Sequence, residues 1–536
     1  MTCCDIDLTA PPFGVVASDP SAGAANTAAI NAAITTFSGT RARLVLPAGD
    51  IFVDQANGHD NWSVRFAAGV SDLALAGHGM FATRIVIQGT GDGGEWHGIM
   101  IDGASRIELT DFGIQMGAVA HPDPGDQNHL VSVYCSAGRT SDIVGHRLFF
   151  GQAVGDGLRI FGDAAPVTNI RFTDFTMRMA GIDVGSRSGV ALQRGWSTVE
   201  LGNFYIDGVR NSPIDLEPGP GTMEYLNIHD GFIDQSLGQS DVACALGGQS
   251  HGRRAEHIRV SEVTVRAGRV QVLSTDDLLV MNMTVVAEAR FAEPLFEVRQ
   301  VNNDLRLQDL YLQRLPGSAA GGLLDVENAG NSTTIDGGVF IQGAAGYPLR
   351  FDRTGNLRVR GSRIQYDGPS PAGHSGISAA ALISDADNVQ IGEVQIACST
   401  GKLDSAVSLA PRAGRSMQNV RITGVHSAGS ALTGIYLSYH PSAAADTTPL
   451  IAAIDNRPDA VWTQVNQDDN PITSIYPVIA GNPGSVCEMT GQVPPEGAVP
   501  AIPGTTYVYQ NGDAAERYYK SAGAGTVGWS GPLLVS

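Results

Sequence analysis

Leu158-Arg159-Ile160, Val190-Ala191-Leu192 and Ile214-Asp215-Leu216 write one short pattern three times: two apolar residues flanking one that points the other way. Upstream the pattern stands at Ile99-Met100-Ile101 and Val131-Ser132-Val133. Downstream it returns at Val270-Gln271-Val272, Leu324-Asp325-Val326, Leu349-Arg350-Phe351, Val407-Ser408-Leu409 and Ile435-Tyr436-Leu437. Neighbouring copies are mostly about 24–33 residues apart, a period that marks a solenoid. A second strand family, often opened by Asn or Asp, runs between them: Asn169-Ile170-Arg171-Phe172, Asp304-Leu305-Arg306-Leu307, Asn356-Leu357-Arg358-Val359, Asn388-Val389-Gln390-Ile391 and Asn419-Val420-Arg421-Ile422. A third follows closely, as in Val263-Thr264-Val265 and Val394-Gln395-Ile396. Three short strands per turn, each alternating in and out, predict an all-β chain folded as a right-handed parallel β-helix. Strands of roughly three to five residues cannot bury a face alone, whereas coils stacked about 4.8 Å apart build a continuous apolar column. Asn and Asp at the corners tolerate the bend and hydrogen-bond backbone there. A β-sandwich shares the short strands but not the longer period.

Composition agrees and removes several functions. The 536 residues carry 34 Lys+Arg against 54 Asp+Glu, a formal charge of −20, and Lys402 and Lys520 are the sole lysines. That field repels phosphate, so nucleic acid is not expected as a partner. No apolar run reaches the roughly 18 residues of a membrane helix, and the start of the chain lacks a charged-then-apolar leader, so neither membrane insertion nor export by a signal peptide is expected. Gly is 66 of 536 while charged residues are 16%, which suits many tight turns. The six cysteines (Cys3, Cys4, Cys135, Cys244, Cys398, Cys487) show no zinc spacing and are expected to stay reduced, as in a chain folded in a cytoplasm.

Solenoid ends need covers. Residues 26–37 read as an amphipathic helix with Asn26 as N-cap and Ile30, Ile34 and Phe37 on one face. With Phe13-Gly14-Val15-Val16-Ala17 before it and Leu44-Val45-Leu46-Pro47-Ala48-Gly49 after it, this stretch resembles the N-terminal signature of the pectate-lyase-like β-helix superfamily, which includes polysaccharide lyases, glycoside hydrolases and phage tailspike depolymerases. The organisation expected is a cap over 1–55, the β-helix with a glycan groove over 56–440, an irregular segment over 441–492, and a linker with a C-terminal β-hairpin module over 493–536. That last module, two strands around Asn511-Gly512 and a Gly528-Trp529 ending, is similar to small C-terminal modules of phage tail fibres and tailspikes. The resemblance implies a homotrimer.

Asp215 and Glu217 sit two apart on one strand, so both carboxyl groups share a face, roughly 6.5–7 Å apart at Cα. Paired acids at that spacing suit glycosidic hydrolysis: the one kept protonated by its neighbour's charge protonates the leaving oxygen, and the other activates water or attacks the sugar. Asp325 and Glu327 repeat the arrangement. The run Arg187-Ser188-Gly189-Val190, then Ile214-Asp215-Leu216-Glu217-Pro218, preceded by Gly155-Asp156-Gly157, resembles a segment of tailspike-type β-helix hydrolases. The resemblance makes Asp215 and Glu217 the first catalytic choices and puts Asp156, Arg159, Asp183 and Arg187 around the same groove. Asp325, Glu327, Asp156 and Asp183 are the secondary catalytic candidates. Arg159 and Gln193, read into one outward column, are candidates for holding sugar hydroxyls, and Tyr134 and Phe161, read as exposed, for stacking on sugar rings. His229-Asp230 is a weaker base-and-orienter candidate. Asp325, Glu327, Arg350 and Asp352 keep calcium-assisted β-elimination open, but neither a metal nor a cofactor is called. The polygalacturonase-type paired-Asp strand and Gly-His-Gly turn are lacking, against uronan hydrolysis.

The expectation is a phage or prophage tailspike, made in a host cytoplasm and carried on the virion tail, that binds and hydrolyses a bacterial surface polysaccharide, capsule or lipopolysaccharide. A virion adaptor protein would attach it. A polysaccharide lyase and a non-catalytic receptor-binding adhesin are the alternatives.

Overall fold

The structure is a computed structural model. It describes residues 4–56, 61–88, 95–117, 128–179, 187–247, 249–250, 253–288, 290–369, 379–386 and 388–398, then 403, 405–409, 420–428, 433–438, 454–455, 461–464, 488–491, 495–496, 506–511, 514–520 and 529–533. Two compact units divide the chain, Met1–Leu279 and Val280–Ser536. Both are built of parallel β-solenoid coils, about 11 turns in all.

In the first unit the quoted triplets stack in register. Ile99, Val131, Leu158, Val190, Ile214, Cys244 and Val270 form one inward column. Ile101, Val133, Ile160, Leu192 and Leu216 form the next. All are buried, and each such aliphatic side chain contributes roughly 1.5–3 kcal/mol. The strands are longer than the sequence suggested: Leu158–Arg178, Val190–Asp207 and Ile214–Asp234 each run on through the corners. They can do so because a single residue takes up the bend in the left-handed region, Asn169 at φ 57°, Thr198 at 58° and Tyr225 at 61°. Asn356 and Asn388 play the same part in the second unit, at 43° and 52°, and Asn388 donates to Asn356 Oδ1 at 2.8 Å.

The N-terminal helix spans Gly23–Phe37, three residues earlier than expected, and Asn26 is not its cap. Asn26 is buried instead. Its amide accepts from Val16 N at 2.8 Å and donates to Val16 O at 2.9 Å and Phe52 O at 3.1 Å. Thr27 pairs with Asp54 backbone, and Asn31 donates to Ser63 O and accepts from Arg65 N. The helix thus supplies polar groups where the first coil would otherwise leave strand-edge backbone unpaired.

In the second unit Leu324–Glu327 pairs with Phe296–Val298 on one side and Leu349–Asp352 on the other. Parallel pairing goes on past residue 440, where the sequence repeat fades, through Val461–Gln464 and Glu488–Gly491 to Thr506–Asn511. There the direction changes. Thr506–Asn511 and Ala514–Lys520 are antiparallel, as a hairpin requires, and Trp529–Leu533 adds a third antiparallel strand. Cys4, Cys135, Cys244 and Cys398 are free thiols; Cys3 and Cys487 lie outside the described residues.

Candidate active site

Two outward columns lie between and beside the inward ones of the first unit. Ser132, Arg159, Ala191 and Asp215 form the first, and Tyr134, Phe161, Gln193 and Glu217 the second. Asp215 and Glu217 therefore do share a face. Arg159 and Gln193 do not share a column, as the sequence reading had it: Arg159 is level with Ala191, and Gln193 with Phe161 and Glu217. They meet diagonally, Arg159 Nε donating to Gln193 Oε1 at 2.6 Å.

Asp215 is half-buried, and Ser188 Oγ donates to its Oδ2 at 3.4 Å. Burial, then the charges of Glu217 and Asp156, push its carboxyl up to about 7 against the pull of Arg187. Glu217 is held by donors: Arg187 Nη2 contacts Oε1, and Gln193 Nε2 donates to Oε2 at 2.6 Å. More than a third of its side chain is exposed. One carboxyl group disposed to keep a proton beside one surrounded by donors is the division of labour that general acid–base chemistry needs.

The Asp215 arrangement carries a stability consequence. Its folded pKa lies above the ordinary carboxylate value, so the folded state holds the proton more tightly than the unfolded chain. Stability from this site is full below about pH 4 and lost as pH rises through about 7. Asp215→Asn removes that loss. The variant is expected to match wild type near pH 4 and exceed it at pH 8 by on the order of 1–3 kcal/mol in urea unfolding; a gap independent of pH refutes the assignment.

Asp156 lies wholly buried under the same columns. Its place depends on the flanking glycines: a Cβ at Gly155 would meet Asn128 backbone at 2.7 Å, and one at Gly157 would meet Gly189 O at 2.9 Å. Oδ1 accepts from Ser188 N at 3.1 Å, and Oδ2 lies 3.1 Å from His129 Nδ1. Asp156 orders the site from below and does not reach its surface. Asp183 lies outside the described residues.

Two expectations about sugar contact are corrected. Tyr134 is not exposed: its ring stacks on Phe161 at 4.8 Å, its hydroxyl donates to Glu95, and 8% of the residue is accessible. Phe161 spends its faces on Tyr134 and on the guanidinium groups of Arg159 and Arg194, 4.8 and 4.6 Å from its centroid. Arg159 and Gln193, 6% and 3% accessible, are likewise buried beneath the surface they were expected to furnish. Arg187 remains partly exposed beside Glu217.

The sequence reading missed Glu95, His97 and His129. Together they bring one ligand atom each within 4.8 Å, a donor set suited to zinc or a similar cation. The place is taken by an internal cation: Arg159 Nη1 contacts Glu95 and lies 2.9 Å from His129 Nε2. His97 and His129 are partners in strand register and their rings stack at 5.4 Å, a one-repeat spacing that could have flagged them. Glu95 precedes its strand with no repeat signal. Burial and the neighbouring His129 hold His97 well below the usual imidazole range.

The other candidates stand apart. His229, past the corner at Tyr225 on the same strand Ile214–Asp234, pairs with Asp230 at 2.7 Å and Glu200 at 3.2 Å. In the second unit Asp325 borders a cavity of about 450 Å³ with Arg299, Tyr347 and Arg350. Burial pushes its carboxyl up, opposed by Arg350 Nη1 at 3.0 Å. Glu327 is clasped by Arg299 Nη1 at 2.5 Å and by Arg353, and Arg353 Nε lies 3.6 Å from Asp352. Guanidinium groups thus occupy oxygens a calcium ion would need.

No protein-family model and no curated protein matches the chain. Among solved structures it is similar to the tailspike protein of E. coli bacteriophage HK620 in complex with pentasaccharide, at 11% identity and TM-score 0.49 over 84% of this chain and 78% of that one. It is similar also to the catalytic domain of a GH87 α-1,3-glucanase in complex with nigerose (13% identity, TM-score 0.31, 85% and 65% covered). A third is the A-module of the Azotobacter vinelandii mannuronan C-5 epimerase AlgE6 (14%, 0.24, 91% and 100%). At these identities the reaction has to be argued from this chain's own side chains. No described helix is long and apolar enough to cross a membrane.

Proposed function

We propose that the protein is a tailspike-type depolymerase that hydrolyses glycosidic bonds of a bacterial surface polysaccharide, capsule or lipopolysaccharide. Asp215 is the general acid and Glu217 the carboxylate that activates water or attacks the sugar. The observation that carries this reading is the contrast within one pair. Asp215 is raised to about 7 by burial and by Glu217, while donors flank both oxygens of Glu217. Stacked coils offer an extended glycan several sugar subsites, so contacts remote from the scissile bond can position it. In the same reading the protein is a homotrimer on the virion tail, attached through an adaptor protein. The C-terminal antiparallel strands favour this, since Tyr519 is 44% accessible on a module too small to cover it.

The experiment is product analysis after incubation with capsule and lipopolysaccharide of the bacterial host. Fragments heavier by one water per cleaved bond are expected. Unsaturated, ultraviolet-absorbing fragments without that gain make it a lyase, and binding without fragments makes it an adhesin; either overturns the reading.

A further inference from the structure

We propose that Arg159 and Gln193 are positioning residues, a buried relay whose hydrogen-bond polarity decides which carboxyl group of the pair keeps the proton; this rests on the function proposed above. A guanidinium can only donate. Because Arg159 Nε donates to Gln193 Oε1 at 2.6 Å, the amide oxygen is engaged and the amide nitrogen must face the other way. It faces Glu217, donating to Oε2 at 2.6 Å, while Arg187 takes Oε1. Both oxygens of Glu217 then look at N–H groups, and a proton on either would oppose a donor. Among the described residues Asp215 meets one long hydroxyl contact, so the proton resides there.

The arginine is held from its other end. Its Nη1 lies 2.9 Å from His129 Nε2. The opposite ring nitrogen, Nδ1, accepts from Asp156 N at 3.0 Å, and Asp156 Oδ2 lies 3.1 Å away. Glu95 contacts the same Nη1, and the guanidinium lies over the faces of Tyr134 and Phe161. A line of polar groups thus runs from Asp156 through His129, Arg159 and Gln193 to Glu217. The three middle members are nearly inaccessible, so they act on sugar only through Glu217. The charged groups around Glu217 are Arg187 and Asp215 directly, with Arg159, Arg194, Asp156 and Glu95 beyond, while the following coil brings the uncharged Ala245 level with Asp215.

The test is the pH–rate profile of glycan cleavage for Gln193→Glu, Arg159→Met and Arg159→Lys. Gln193→Glu replaces the donor by a like charge, and Arg159→Met frees the amide to flip. In both, the acid limb of kcat/KM is expected to move up by about one pH unit, with a roughly tenfold lower rate at pH values well below the limb and little change between the two limbs. KM should change less than about twofold, since neither side chain touches sugar. Arg159→Lys keeps a donor and should hold the limb near wild type. Folded variants whose limb stays put, or whose KM rises with the limb fixed, overturn the relay. If Arg159→Met does not fold, Gln193→Glu decides. Glu217→Gln separates the two claims: an active Glu217→Gln removes the paired-carboxylate reading and the relay with it, whereas an inactive one with unmoved limbs removes the relay alone.

Discussion

Glu217→Gln and Asp215→Asn each lower the rate of glycan cleavage by about 10³-fold or more and leave glycan binding near wild type. Both replacements keep shape and lose the chemistry: an amide can neither carry a labile proton at Asp215 nor accept one at Glu217. The two should differ in a diagnostic way. With an aryl glycoside, whose leaving group needs no proton, Asp215→Asn recovers much of its rate, while Glu217→Gln stays slow. Asp215→Asn also flattens the alkaline limb, because in wild type the acid form is lost as pH passes about 7. Binding is measured by fluorescence titration at concentrations where cleavage is arrested. Loss of binding in parallel with rate would mean that the pair grips sugar rather than cleaves it. Arrest by Asp325→Asn with Asp215→Asn fully active would put the reaction in the second unit.

The solenoid was legible because its physics is periodic. Each coil must place aliphatic residues over those of the last, so Val190, Ile214 and their equivalents repeat visibly, and the corner asparagines repeat with them. Asp215 and Glu217 were legible for the same reason, since alternation alone puts residues two apart on one face. What alternation cannot tell is how deep an outward residue lies. Tyr134, Arg159 and Gln193 do point outward, yet neighbours in the adjacent columns and Glu95 cover them. Glu95 escaped because it belongs to no repeat, and His97 and His129 because a search for apolar pairs passes over polar residues at matching register. Asn26 was misread for a related reason: an Asn before a helical run signals a cap, but here the helix begins earlier and the amide serves strand backbone instead.

Arg314 is the position where the second unit is expected to be most fragile. It follows Leu312 by two on the strand Tyr311–Arg314 and so points inward, with no accessible surface. Its Nη1 donates to Phe291 O and Ala319 O, both at 3.0 Å, and its Nη2 to Glu293 O and, at 3.4 Å, Gly322 O. The strand-end position below it in register, Gln342, ties down Gly321 O at 2.7 Å, so two inward polar residues bind the loops that border the Asp325 cavity. Burial draws the guanidinium down to about 10, which leaves it charged at neutral pH and facing carbonyls instead of a carboxylate. Arg314→Met fills similar volume and restores the apolar rule of the column, and on hydrophobic grounds alone it should be neutral or better. The carbonyls decide otherwise. Three or four buried acceptors lose their donor, each at roughly 1–3 kcal/mol, and relief of the desolvated charge offsets only part. A net loss of about 3–4 kcal/mol is expected in urea unfolding. Arg314→Lys should recover little of it, because one ammonium cannot span carbonyls that a planar fork reaches from two nitrogens. A Met variant as stable as wild type would show that the loops satisfy their carbonyls elsewhere and that the buried charge is not what holds the cavity's rim.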